Sequence, residues 1–136
     1  MKRVTLDTNE YVSALSGGRK ALQLLHMAID GDIEIAISEP IISETIRVLR
    51  EKFDWPPYDL FDANQRLRRI AKVVEPKKVL AVLADEPDNR ILECSQEAGS
   101  EYIITEDKAM LRLKTFGSAK IIRVADYLGQ AEGQGR

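Results

Sequence analysis

The chain has 136 residues, 44% hydrophobic and 31% charged, with a formal net charge of −2. That length fits one domain, and a chain near ~150 residues buries roughly 68–70% of its unfolded surface, so no disulfide or metal staple is needed. The charge balance excludes a strongly basic nucleic-acid binder, but not an enzyme whose acidic site takes up cations.

The predicted elements alternate. Residues 3–8, with the β-branched and apolar "VTL", read as a first strand. Loop glycines Gly17 and Gly18 follow. A helix then carries Ala21, Leu24, Leu25, Ala28 and Ile29 at helical spacing and closes at Gly31. "IEIAIS" alternates as a second strand. Ser38 suits an N-cap and Pro40 a first turn, so 39–53 is predicted helical up to the breaker "DWPPYD". Another helix is expected over 60–74. A further helix is entered through Pro87 and ends at Gly99. "EYIITED" is a strand, 108–116 a short helix, and "AKIIRVADYL" a strand running into a last turn. Domain boundaries are expected at 1–128, with 129–136 a disordered tail.

Strands alternating with helices predict an α/β fold with a central parallel sheet flanked by helices. Ligands in such sheets bind outside the carboxyl ends of the strands, where strand order reverses. Asp7 follows the first strand and Asp107 follows "EYIIT", so both fall on that edge. Cys94 is the one cysteine, so neither an intrachain disulfide nor a Cys-based zinc site is expected, and cytoplasmic residence is the default. No signal-peptide apolar region follows "MKR". No apolar run approaches the ~18 residues of a membrane span.

Four carboxylates stand out: Asp7, Glu44, Asp88 and Asp107. Convergent carboxylates cannot all stay ionised without a cation or protons. A hard ion such as Mg²⁺ or Mn²⁺ resolves this with oxygen ligands and retained waters, and is preferred over Zn²⁺ where no Cys/His cluster exists. Each residue also has a structural reading. Asp7 suits an N-cap or Asx-turn, Asp88 a helix start favoured by the macrodipole, and Asp107 a cap for the helix after it. Glu44 falls at the border of the apolar arc of its helix.

"LDTN" at the end of the first strand, the acid in "SETIRVL", "DEPDNRILECS" and "YIITEDKAML" resemble PIN-domain nucleases over nearly the whole chain, to about Leu128. The likeness is closest to the VapC-like toxins of toxin–antitoxin pairs. The resemblance implies a PIN-like three-layer fold whose acidic pocket binds Mg²⁺ or Mn²⁺ and cleaves single-stranded RNA. It assigns Asp7, Glu44, Asp88 and Asp107 as the four acids, with Asn9, Thr105 and Asn89 as supporting or phosphate-binding groups. It also implies homodimers and a small antitoxin partner. Two departures stand out: Glu106 replaces the glycine usual before the last acid, and "DEPDN" leaves Asp85 as an alternate ligand.

Other classes share parts of this pattern. A phosphatase of haloacid dehalogenase type needs a second Asp two positions after the first, where this chain has Asn9. A receiver-like domain needs paired acids at the first strand's end. A catalytically weak or inactive PIN-fold module that binds RNA or protein keeps the same elements. "RLRRIAK" offers Arg66, Arg68, Arg69 and Lys72 as a basic helix face, read either as a solvated surface or as an RNA contact.

Overall fold

The computed structural model describes residues 1–134 of the chain. The elements run β1 (Lys2–Leu6), α1 (Thr8–Leu15), α2 (Arg19–Ile29), β2 (Ile33–Ile37), α3 (Glu39–Phe53), α4 (Pro57–Ile70) and β3 (Lys72–Val73). Then come α5 (Glu86–Ala98), β4 (Tyr102–Ile104), α6 (Lys108–Leu113), β5 (Thr115–Phe116), β6 (Ala119–Ile122) and α7 (Val124–Gln134). The strand order is β3-β2-β1-β4-β6-β5. The first three strands step outward from β1, and the chain then returns to place β4 on the other side of β1. The β1/β4 seam is therefore the switch point, and Asp7 and Thr105 stand at its carboxyl edge.

The sheet is α/β as the alternation implies, but not wholly parallel. β1, β2, β3, β4 and β6 pair in parallel, while β5 runs antiparallel to β6. The reason is connection length. Only Gly117 and Ser118 join β5 to β6, and Gly117 takes φ +57°, which a two-residue hairpin turn requires. Parallel neighbours need a crossover of about a dozen residues.

β1 is buried on both faces. Val4 and Leu6 enter the main apolar core. Thr5, pointing the opposite way by the strand's two-residue period, has its hydroxyl 2.8 Å from that of Ser100. α5 packs on β1 and β2, and α2 packs on β2 and α7. Isoleucines of β2 and the apolar stripe of α3, with Ile41, Ile42 and Leu49 almost fully enclosed, fill the space between. Cys94 is buried in this core, and burial pushes its thiol up to about 12, so it stays protonated.

Four differences from the expected elements have local causes. Residues 8–15 form α1, which the strand reading over 3–8 overran. The helix expected over 60–74 stops at Ile70, and Lys72–Val73 adds a short edge strand beside β2. The segment after α6 yields β5 rather than more helix. Residues 129–134, expected to be a disordered tail, continue α7, because Tyr127 and Leu128 are buried and anchor it; residues 135–136 lie outside the described residues. The Tyr127 ring meets Tyr102 edge-on at 5.2 Å between centroids. No helix among the described residues is long and apolar enough to cross a membrane.

Candidate metal centre

The site begins with how β1 ends. The Asp7 amide donates to the Ile104 carbonyl at 3.0 Å, which ties the tip of β1 to the tip of β4. The Asp7 carbonyl then accepts from the Glu10 amide at 2.9 Å and opens α1. Asp7 is thus the backbone N-cap of α1, yet its carboxylate makes no capping hydrogen bond. It turns to the seam instead, where Oδ2 accepts from the Thr105 hydroxyl at 2.6 Å. That hydroxyl accepts in turn from the Asp107 amide at 2.9 Å. Thr105 is a two-way bridge: its proton fixes one acid, and its lone pair fixes the backbone of the other. Asp107 holds the N-cap position of α6 without capping it, and its Oδ2 is buried with no partner.

Asp88 enters from α5. Pro87 fits the first turn, where its missing N–H costs nothing, and the Asp88 amide donates to the Asp85 carbonyl at 3.1 Å. Asp88 is only 7% exposed. Burial first, then the charges of Asp107, Asp7 and Asp85, push its carboxyl up to about 7. Asp7, 6% exposed, is raised chiefly by burial and also by Asp107, against the opposing pull of the Thr105 hydroxyl and the amides of Thr8 and Asn9. The three aspartates therefore share one electrostatic environment in which full ionisation is unfavourable.

Glu44 is placed differently. Arg47 donates from Nε to Oε1 at 2.6 Å and from Nη2 to Oε2 at 3.1 Å, one turn along α3. That arginine holds the Glu44 carboxyl below its ordinary value. Glu44 lines a shallow groove of about 280 Å³ with Pro40, Ser43, Glu86, Pro87 and Arg90, the outer wall of the Asp88 turn. It is not among the groups that shift Asp7 or Asp88.

The supporting residues divide too. Thr105 bridges, as described. Asn9 is exposed on α1. Asn89 is buried and committed elsewhere: Oδ1 accepts from the amides of Val82 and Leu83 at 3.0 and 2.8 Å, and Nδ2 donates to the Leu83 carbonyl at 2.9 Å. It straps the segment before α5 and so fixes the turn that carries Asp88. Asp85 is an exposed N-cap residue of α5 whose charge reaches Asp88. Glu106 turns outward. Its Oε2 accepts from the Val124 amide at 3.0 Å and its Oε1 from Arg123 at 3.1 Å, capping α7. On the supposed basic face, Arg68 is held by Glu39 and Asn64, and Arg66 pairs with Asp62.

One acid escaped the sequence reading. Glu10 is 5% exposed, its Oε2 has no partner, and burial followed by Glu106 and Asp7 pushes it up to about 7. Its position one helical turn after Asp7 identifies it once α1 is seen as a helix.

Among the described residues no group of three or more His, Cys, Asp or Glu is drawn close enough to hold a metal ion by protein ligands alone. That Asp107 raises both Asp7 and Asp88, and Asp7 raises Asp88, is the more telling observation, because Mg²⁺ keeps several waters and takes only one or two carboxylates directly. The orphaned Asp107 Oδ2 and an all-oxygen donor set fit such an ion. Asp7, Asp88 and Asp107 are the residues that would hold it.

No curated protein matches the sequence. Among solved structures, the fold matches that of VapBC2 from Rickettsia felis, determined bound to a DNA fragment from their promoter. The TM-score is 0.64 over 89% of this chain and 98% of that one, at 12% identity. Residues 3–109 match the PIN domain family, a span that contains Asp7, Glu44, Asp88 and Asp107, and the chain belongs to that family.

Proposed function

We propose that this protein is a metal-dependent endoribonuclease that hydrolyses phosphodiester bonds in single-stranded RNA, and that it is the toxin of a toxin–antitoxin pair. The observation that carries the reading is the convergence of Asp7, Asp88 and Asp107 at the β1/β4 switch point, with the first two raised by burial and by neighbouring acid. Carboxylates built only for stability are paired with cations, and these are not. Mg²⁺ or Mn²⁺, when bound, supplies Lewis-acid polarisation of the scissile phosphate and neutralises its charge.

The chain's own residues do the rest. Asp7 is held in one orientation by the Thr105 hydroxyl. Asp107 presents its unpartnered Oδ2 beside it. Asp88, crowded by Asp107 and Asp7, completes the set that would hold the ion. Glu44 stands on the outer wall in the grip of Arg47, and it orients the attacking water only if bound RNA draws it off that arginine. Asn9, exposed beside Asp7, is placed to meet a substrate phosphate. The products carry 5′-phosphate and 3′-hydroxyl ends. Cyclic phosphate ends would mean attack by the ribose 2′-hydroxyl and would sink this mechanism. The reading places the protein in the cytoplasm as a homodimer restrained by an antitoxin.

The deciding experiment is cleavage of a mixed RNA pool with and without Mg²⁺ or Mn²⁺, comparing wild type with Asp7→Asn. Metal-dependent cleavage by wild type alone is expected. Equal cleavage by both would overturn the site assignment. A second reading, an RNA- or protein-binding module with weak or no catalysis, draws on the Glu44–Arg47 pair. It requires wild type to bind Mn²⁺ no better than Asp7→Asn does.

A further inference from the structure

A second cleft opens between the starts of α1, α2 and α7. It holds about 360 Å³, and its lining includes Glu10, Ser13, Arg19, Lys20, Val124 and Ala125. Its relation to the acid centre is fixed by the chain. Glu10 lies one turn after Asp7 on α1, and Glu106 on the opposite rim directly precedes Asp107. Asp7 is near enough to raise the Glu10 carboxyl, so the cleft and the acid centre are neighbours.

Three features give the cleft a chemical identity. The first is Glu10, 5% exposed with Oε2 unpartnered. A buried carboxylate oxygen without a donor costs free energy, and the fold supplies no donor. The second is the start of α2. Gly18 is its N-cap, no side chain caps the helix, and Arg19 and Lys20 are exposed on its first turn. Amides at a helix start plus two cations favour a phosphate. Gly18 packs directly on Ser13 of α1, where a Cβ would collide with the Ser13 hydroxyl, and this fixes the helix start against the cleft. The third is the apolar strip of Ala21, Val124 and Ala125 between them. An acceptor, an apolar surface and an anion site in one cleft match a nucleotide.

An ionised carboxylate only accepts hydrogen bonds. Of the four RNA bases, guanine alone offers two adjacent donors, N1–H and the N2 amine, on its pairing edge. Adenine and cytosine set an acceptor beside their amine, and uracil flanks its one N–H with two acceptors. We propose that this cleft is a guanine-nucleotide subsite of the RNA-cleaving centre, with Glu10 reading the base edge and the start of α2, Arg19 and Lys20 holding its phosphate. The assignment rests on the ribonuclease reading for its biological role. Its chemistry is tested without cleavage.

The test is titration of the full chain, free of divalent metal and at about pH 8 where Glu10 is ionised, with nucleoside 5′-monophosphates, followed by backbone amide NMR. Guanosine monophosphate is expected to saturate and to shift the amides of Ser13, Arg19 and Val124. Inosine monophosphate, which lacks the N2 amine, is expected to bind about tenfold more weakly, as are the adenosine, cytidine and uridine forms. Glu10→Gln, nearly isosteric, should reduce guanosine monophosphate to the level of inosine monophosphate, while Asp7→Asn keeps the preference. Equal binding of all the nucleotides, no saturation, or a guanine preference that survives Glu10→Gln overturns the subsite. So does an arginine-containing peptide that shifts these amides while guanosine monophosphate does not, since the cleft would then dock protein. Loss of the preference with cleavage intact removes the subsite alone. Intact preference in a chain that cleaves no RNA removes the ribonuclease reading alone.

Discussion

The β1/β4 seam and the outer wall of α3 are both rich in acid, and they treat it in opposite ways. At the seam, Asp7 and Asp88 are buried among other carboxylates, pair with no cation among the described residues, and are raised in pKa. On α3, Glu44 is clasped by Arg47 through two hydrogen bonds and is lowered. A carboxylate that the fold has paired is already satisfied, and a ligand must compete for it. One left unpaired destabilises the apo fold and is available to a ligand. Partner supply, more than residue type or spacing, separates acids reserved for chemistry from acids spent on structure.

The sharpest way to break this comparison is Asp7→Asn. Asparagine keeps an oxygen that can accept the Thr105 hydrogen bond but removes one charge from the cluster. RNA cleavage should fall by about 10²–10³-fold, and the melting temperature of the metal-free protein should rise. Asp88→Asn should do the same. A cleavage assay paired with thermal melts checks both, and a fall in melting temperature for either would mean that the seam acids are structural. Thr105→Val comes next. It removes the donor to Asp7 and the acceptor for the Asp107 amide, leaving buried groups unpaired at a cost of about 1–3 kcal/mol. Cleavage should drop about 10–100-fold, as for groups that orient metal ligands. Thr105→Ser should restore most of both.

Much of this was legible in the chain. α3 was readable to the residue, because Ser38, Pro40 and the breaker at Asp54 punctuate it and its isoleucines keep one face. Asp7 and Asp107 could be placed on one edge, since both follow apolar strands in an alternating pattern. α1 was not legible. It spans two turns, opens with the polar "TNE", and is buried by packing on α2 and α3, which a short segment's own pattern does not reveal. Losing α1 hid Glu10. β3 and β5 have two residues each, too few for alternation to register. The Thr105–Asp7 bond joins residues 98 apart, and only the β1/β4 pairing brings them together. The Glu44–Arg47 pair is three apart on a helix and could have been read from the sequence. Nothing there says, however, that Glu44 prefers it to the aspartates.

A third expectation concerns pH. Asp88 and Glu10 have ordinary values of 3.8 and 4.5 and are both pushed up to about 7 in the fold. The folded chain therefore holds more protons than the unfolded one between those limits, and stability falls as pH rises through the window. The stabilisation is fully present below about pH 4 and is lost on passing about 7. Thermal melts of metal-free protein should accordingly decline from about pH 5 to about pH 8. Excess Mg²⁺ should flatten the decline, because an ion stabilises the charged forms. A flat profile without metal would place these acids in a better-solvated setting than their burial implies.

The smallest effect is expected at Glu44, and it sharpens the comparison most. If Arg47 keeps its hold during turnover, Glu44→Gln removes an ion pair whose side chains are 43% and 21% exposed, Arg47 and Glu44 respectively. Exposed pairs of this kind contribute little, so the melting temperature should barely move, and cleavage should fall by less than about tenfold. A loss as deep as that of Asp7→Asn would have a definite meaning. Glu44 would then have to leave Arg47 and swing past Pro87 to the aspartates when RNA binds, making the arginine a gate rather than a tether. Arg47→Met separates the two: freeing Glu44 should raise cleavage if the pair is a gate, and leave it unchanged if the acids of α3 belong to the fold alone.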